Sequence, residues 1–194
     1  MILSDGTIKA MIYYLVDLSK SENATSADVW NQVNPNSIDL TIGAVYKRPV
    51  KSDRPWYYGF RNEAEAERYS NECWMTCVAR SGYILLEPGD IILGVTREYV
   101  NMPDNVCGQI FTKSTLGRMF INHMMAGVVD AGFHGRLTLE LKNEGMHSVK
   151  IPVGARVCQM VFSMLDKGAV IPYNVKVNRY NGAETVECAK AEKK

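Results

Sequence analysis

Residues 126–141 read AGVVDAGFHGRLTLEL. An acid, Asp130, stands before a tight run of small residues, and a second acid, Glu140, follows on an alternating segment. As a strand, that segment puts Leu137, Leu139 and Leu141 on one face and Arg136, Thr138 and Glu140 on the other. A carboxylate on such a polar face belongs either to an ordinary strand with a wet outer side or to the wall of a pocket. Upstream, Lys113-Ser114-Thr115-Leu116-Gly117-Arg118 offers two cations and two hydroxyls in one short stretch. A helix beginning near Ser114 would present free N–H groups and these hydroxyls at its positive end, a phosphate cradle in outline. It is not a P-loop, because GxxxxGK[ST] is missing, and a helix start with a solvated lysine is the plain alternative.

Metal chemistry has little to build on. His123, His134 and His147 lack ligand spacing, and neither H-x-E nor P-C-x-x-C, the marks of a zinc deaminase, occurs. Cys73 and Cys77 would lie one helical turn apart, but no two further soft ligands stand near them in sequence.

The surrounding chain has to position these groups. Its 194 residues suit a single domain with a sizeable core. A net charge of +1, with 46% apolar and 22% charged residues, gives no reason to expect a nucleic-acid or membrane surface. The apolar run 10–16 is too short to span a bilayer, no secretion signal is visible, and the five scattered cysteines suit a reducing cytosol. A cytoplasmic location is therefore expected.

The pattern predicts a helix over 4–18 and a strand over 38–42. Residues 47–80 read as a peripheral insertion or flap with an exposed helix in RNEAEAERYSN. From residue 82 the chain turns to short strands split by Pro88-Gly89-Asp90 and by Pro152 and Gly154, interrupted by a helical segment at 113–121. Such a series predicts a mainly β jelly roll or distorted β-barrel with a few short helices. The polar tail would order only by folding over something, and 174–194 is read as a C-terminal arm.

The order of these motifs resembles the dCTP deaminase family, a branch of the trimeric dUTPase-like fold, across roughly residues 1–185. The family pattern G-[RK]-S-S-x-x-R stands here as Thr112 to Arg118, A-x-x-I-D-x-G-[FW]-x-G as Ala126 to Gly135, and x-L-E as Leu139-Glu140. The resemblance implies that Glu140 is the catalytic acid/base, in line with a reaction that moves protons around C4 and N3 of cytosine. It implies a water held by the Ser114 hydroxyl and the Ala126 carbonyl, with Arg118 supporting developing charge. It assigns Lys113, Ser114 and Thr115 to the phosphates, Asp130 to the sugar 3′-hydroxyl and the backbone at Thr138 to the base edge. Tyr173, Arg179 and Tyr180 would close over the triphosphate. Mg2+ would arrive on the triphosphate rather than on protein side chains. A homotrimer with sites between subunits, dCTP or dUTP as ligand and dTTP as inhibitor are implied in the same way.

Within the family, Gly127 and Gln159 resemble the bifunctional enzymes that convert dCTP directly to dUMP. A small Gly127 leaves room for a second water, which Asp130 would orient. The tail lacks the glycine-rich motif of a dedicated dUTPase. Departures are Thr112 for glycine, Thr115 for serine, Arg179 for lysine, Ala183 for the tail glutamine, and one residue fewer between Arg118 and His123. A monofunctional deaminase giving dUTP, a dUTPase and a non-catalytic nucleotide sensor are the alternatives.

Overall fold

The computed structural model describes residues 1–22, 25–56, 59–123, 127–176 and 179–191. Helix α1, Asp5–Leu15, forms inside the stretch predicted for it and buries Ile8, Ile12 and Leu15, one apolar stripe at helical spacing. A second helix, α2, Ser26–Asn31, was not expected. Its signal was present as Thr25-x-x-Asp28, a capping box in which each residue's side chain takes the other's backbone N–H.

Strands β1, Val33–Asn34, and β2, Ser37–Thr41, follow, then β3, Val45–Pro49. Helix α3, Glu63–Cys73, starts at Asn62, whose side chain caps Glu65 N. It runs directly into β4, Trp74–Val78, so Cys73 and Cys77 belong to different elements and do not share a helix face. Next come β5, Tyr83–Leu86, β6, Ile91–Asn101, and β7, Val106–Thr112. Helix α4 is a short turn, Ser114–Arg118. It is followed by β8, Ile121–His123, β9, Val128–Val129, β10, His134–Asn143, β11, Val149–Pro152, and β12, Arg156–Met164.

The strands make two five-stranded sheets, β1-β2-β12-β7-β9 and β4-β3-β6-β10-β8, with a separate β11-β5 pair. The architecture is mainly β with few short helices, as expected. The five-stranded sheets are not closed into a barrel; among the described residues they approach at a corner where Ile42 bridges Thr96. Leu139 and Leu141 of β10, Ile38 and Leu40 of β2, and Met160 and Phe162 of β12 are buried in one apolar core. Residues 47–80 have both ends in a sheet, because β3 and β4 pair along their length at its edge, with α3 between them. Among the described residues no helix is long and apolar enough to cross a membrane.

Two buried acids tie the elements together. Glu98 accepts from Gln32 Nε2 and from the backbone N–H and hydroxyl of Thr41. Asp39, fully buried on β2, takes Lys113 Nζ at 2.6 Å on both oxygens, Asn34 Nδ2 at 2.8 Å and Arg156 Nη1 at 3.3 Å. That carboxylate pins the residue from which α4 begins.

Candidate active site

On β10 the burial alternates as the sequence predicts: Leu137, Leu139 and Leu141 are buried, and Arg136, Thr138 and Glu140 are half-buried on the opposite face. That opposite face is not simply wet. Arg136, Thr138 and Glu140 line a cavity of about 360 Å³, with Ile110, Val128, Val129, Phe133 and Leu137 among its apolar walls. Glu140 Oε2 is buried there.

The C-terminal segment covers the cavity. Gly182 N–H donates to His134 O, Arg136 N–H to Ala183 O, and Gly135 bridges Ala183 in parallel. Farther on, Glu187 N–H donates to the Thr138 hydroxyl at 3.0 Å. The tail thus lies along the edge of β10, and Tyr180, Ala183, Glu187, Cys188 and Ala189 form one side of the cavity. Tyrosines hold it down. Tyr173 N–H donates to Ala131 O, its ring packs on Phe133 at 5.6 Å, and its hydroxyl accepts from Tyr180 N. The Tyr180 hydroxyl in turn accepts from Lys190 N at 3.2 Å. The turn at Gly132 requires glycine: its φ is +81°, and a Cβ there would stand 2.6 Å from Pro172.

The residues singled out by sequence fall into separate groups. Thr138, Glu140 and Tyr180 meet at the cavity. Ser114, Thr115 and Arg118 are exposed on α4, which follows β7 in the other sheet, and none of them lines the cavity. Lys113 is held by Asp39, as described. Asp130 is exposed at the start of the Gly132 turn, where its carbonyl accepts from Phe133 N. Gly127 accepts from Ile110 N, and among the described residues a Cβ on it would meet only Ile110 O, at 3.4 Å. Gln159 is half-buried on β12, opposite Phe111 of β7 and Asp39 of β2. Arg179 is half-buried in the tail. Ala126 lies outside the described residues.

Sequence reasoning passed over several cavity residues. Arg136 was placed on the polar face but given no role; its Nη1 pairs with Glu22 Oε2 at 3.0 Å and its Nη2 donates to Lys20 O. Tyr69 and Trp74 come from the stretch read as peripheral, and Glu187 from the tail. No local pattern marks the two aromatics, whereas Phe133 stood inside the motif already quoted.

Residues 2–165 match the dCTP deaminase-like family. A protein of Coprothermobacter proteolyticus named dCTP deaminase, dUMP-forming, is 34% identical over 188 residues, which cover 96% of this chain and 94% of that protein. A protein of Halorubrum lacusprofundi named dCTP deaminase is 35% identical over 150 residues, covering 77% of this chain and 72% of its own. The crystal structure of 2′-deoxycytidine 5′-triphosphate deaminase from Agrobacterium tumefaciens superposes with a TM-score of 0.64 at 26% identity over 84% of this chain, which spans 48% of that one. The sheet order, the polar face of β10 turned into a cavity and a match that runs through both make this chain a member of the dCTP deaminase-like family.

Proposed function

We propose that this protein hydrolyses dCTP to dUMP, diphosphate and ammonia, with Glu140 moving the protons of the deamination step. The observation that carries this reading is the placement of a carboxylate, Glu140, beside Thr138 in a largely apolar, tail-covered cavity. A neutral pyrimidine suits such walls, and a carboxylate among them is a proton shuttle in position. Water adds to C4 of cytosine, N3 takes up a proton through Glu140, and ammonia leaves as the C4 carbonyl forms. A second water then attacks the α-phosphorus and diphosphate departs, leaving dUMP.

The Ser114 hydroxyl and the Ala126 carbonyl hold the first water, and Arg118 stabilises charge built up during the addition. Because α4 stands apart from the cavity of its own chain, these groups reach Glu140 from a neighbouring subunit of a homotrimer. The exposed Phe111, Met119 and Phe120 beside α4 supply an apolar surface for that contact. Lys113, Thr115 and the arm residues Tyr173, Arg179 and Tyr180 serve the triphosphate side, with Asp130 at the sugar. Gly127 leaves space near the α-phosphorus, and Gln159 belongs to the same step. Mg2+ would be held through the triphosphate, whose hard oxygens suit it, and neutralise its charge. The thymine nucleotide dTTP would compete as an inhibitor, and five free thiols suit a reducing cytoplasm.

The test is product analysis by ion-exchange chromatography with dCTP and Mg2+, alongside a tube with dUTP. Formation of dUMP and diphosphate from dCTP, without free dUTP building up, is expected. Glu140→Gln is expected to abolish deamination while nucleotide still binds. A second reading, deamination to dUTP alone, follows the simpler name of the Halorubrum lacusprofundi relative. Accumulation of dUTP would establish it and remove the roles given to Gly127 and Gln159.

A further inference from the structure

We infer that the segment carrying α3 and β4 is part of the nucleotide site, and that Trp74 donates its indole N–H to an acceptor oxygen of the bound nucleoside. The inference rests on the nucleotide reading above and adds a specificity residue to it. Registers run across one sheet from β4 to β10: Thr76 faces Lys47, Lys47 faces Leu93, and Leu93 faces Glu140. Directly paired residues share a face, and so do residues two apart on a strand. Trp74 therefore stands on the same face as Glu140 and Thr138, three strand spacings across and two residues along from Glu140, about 16 Å between backbones. The cavity lies over this face, and Trp74 is part of its wall with Tyr69.

The indole N–H is unused among the described residues. Trp74 Nε1 is buried and finds no hydrogen-bond acceptor among them. Indole is a donor only, so tail and sheet packing around the ring leave this N–H unsatisfied. Its neighbours are apolar: Leu93, Val95, Val186 and Cys188 form the cluster against which it packs. An orphan donor in a cavity wall calls for an acceptor from a ligand. The acceptor belongs to the nucleoside rather than to the phosphates. The cavity's largely apolar walls suit the uncharged part of a nucleotide rather than a triphosphate.

Two measurements test this. Trp74→Phe keeps the ring and removes the donor. It is expected to raise KM for dCTP about tenfold, the effect of one lost hydrogen bond to a buried donor, with a smaller change in kcat. Binding of inorganic triphosphate should not change. Separately, the chain has three tryptophans, Trp30, Trp56 and Trp74, so Trp30→Phe with Trp56→Phe leaves Trp74 as the sole indole. Titration of that protein with deoxycytidine is expected to shift its fluorescence saturably. Unchanged dCTP affinity in Trp74→Phe, or a Trp74 signal indifferent to deoxycytidine while dCTP is still turned over, overturns the inference. Failure of the unmutated protein to bind or turn over dCTP instead overturns the nucleotide reading.

Discussion

The division of the proposed catalytic groups between two sheets predicts that one chain cannot complete its own site. Glu140 lies on the outer face of β10, in the sheet β4-β3-β6-β10-β8, whereas Ser114 heads α4 at the end of β7 in the other sheet. The perturbation is a pair of complementary variants, Ser114→Ala and Glu140→Gln, each inactive alone. In a mixed trimer, a site that takes Glu140 from one subunit and Ser114 from the next is whole only when the first subunit is Ser114→Ala and the second Glu140→Gln. With equal amounts and random assortment, each of these choices has a chance of one half, so about a quarter of the sites should be whole. The assay is dCTP turnover after co-expression with two different affinity tags, with mixed oligomers isolated through both tags and weighed by native mass spectrometry. Selection through both tags removes the pure trimers and raises the expected share to about a third, since each remaining trimer has one whole site among three. Activity no greater than that of the single variants, in oligomers shown to be mixed, refutes the shared site. So does full activity of a protein that stays monomeric.

Three further outcomes follow from contacts in the fold. Asp39→Asn leaves Lys113 and Arg156 without their buried carboxylate and is expected to cost about 3 kcal/mol or more in urea unfolding; a loss below about 1 kcal/mol would show that this pair does not hold the start of α4. Gly132→Ala forces a Cβ against Pro172 at a φ of +81°, and should cost more than about 1 kcal/mol and raise KM by loosening the Tyr173 anchor of the tail; unchanged KM would separate that turn from the arm. Burial raises the Asp90 carboxyl, but the Arg48 side chain, Glu87 N–H and the charge of Arg48 outweigh it and hold the group below its ordinary value. The charged form is then favoured in the fold, so this contribution is present above the unfolded value of about 3.9 and lost as pH falls through the lower folded one. The stability difference between the protein and Asp90→Asn should shrink across that window, and a difference independent of pH would refute the assignment.

What could be read in advance was whatever depends on near neighbours. The leucine alternation of 137–141 placed Glu140 on the right face, because the strand period is a local property. The helix in RNEAEAERYSN and the small turn before β10 are local in the same sense. The capping box at Thr25 was equally local and was overlooked. By contrast, Lys113 finds Asp39 74 residues away, a contact that nothing in KSTLGR announces. Trp74 was hidden for the same reason. Its relation to Glu140 passes through three strand registers, and the segment around it shows no alternation to announce a buried face.

The tail sharpens this point. Its glutamine position is Ala183, a loss of a phosphate-side contact when read as a side chain alone. In the fold, Ala183 is buried, its carbonyl accepts from Arg136 N, and it bridges Gly135. Backbone pairing therefore secures the arm where the family pattern would have a polar side chain, and Glu187 N–H adds a bond to the Thr138 hydroxyl. An arm held by contacts to β10 and by its own tyrosines can close the cavity without drawing on the triphosphate. Closure and phosphate grip are then separable properties. Ala183→Gln should alter affinity for the triphosphate while leaving the Trp74 fluorescence response to deoxycytidine in place. If both change together, the arm is ordered by the phosphates after all.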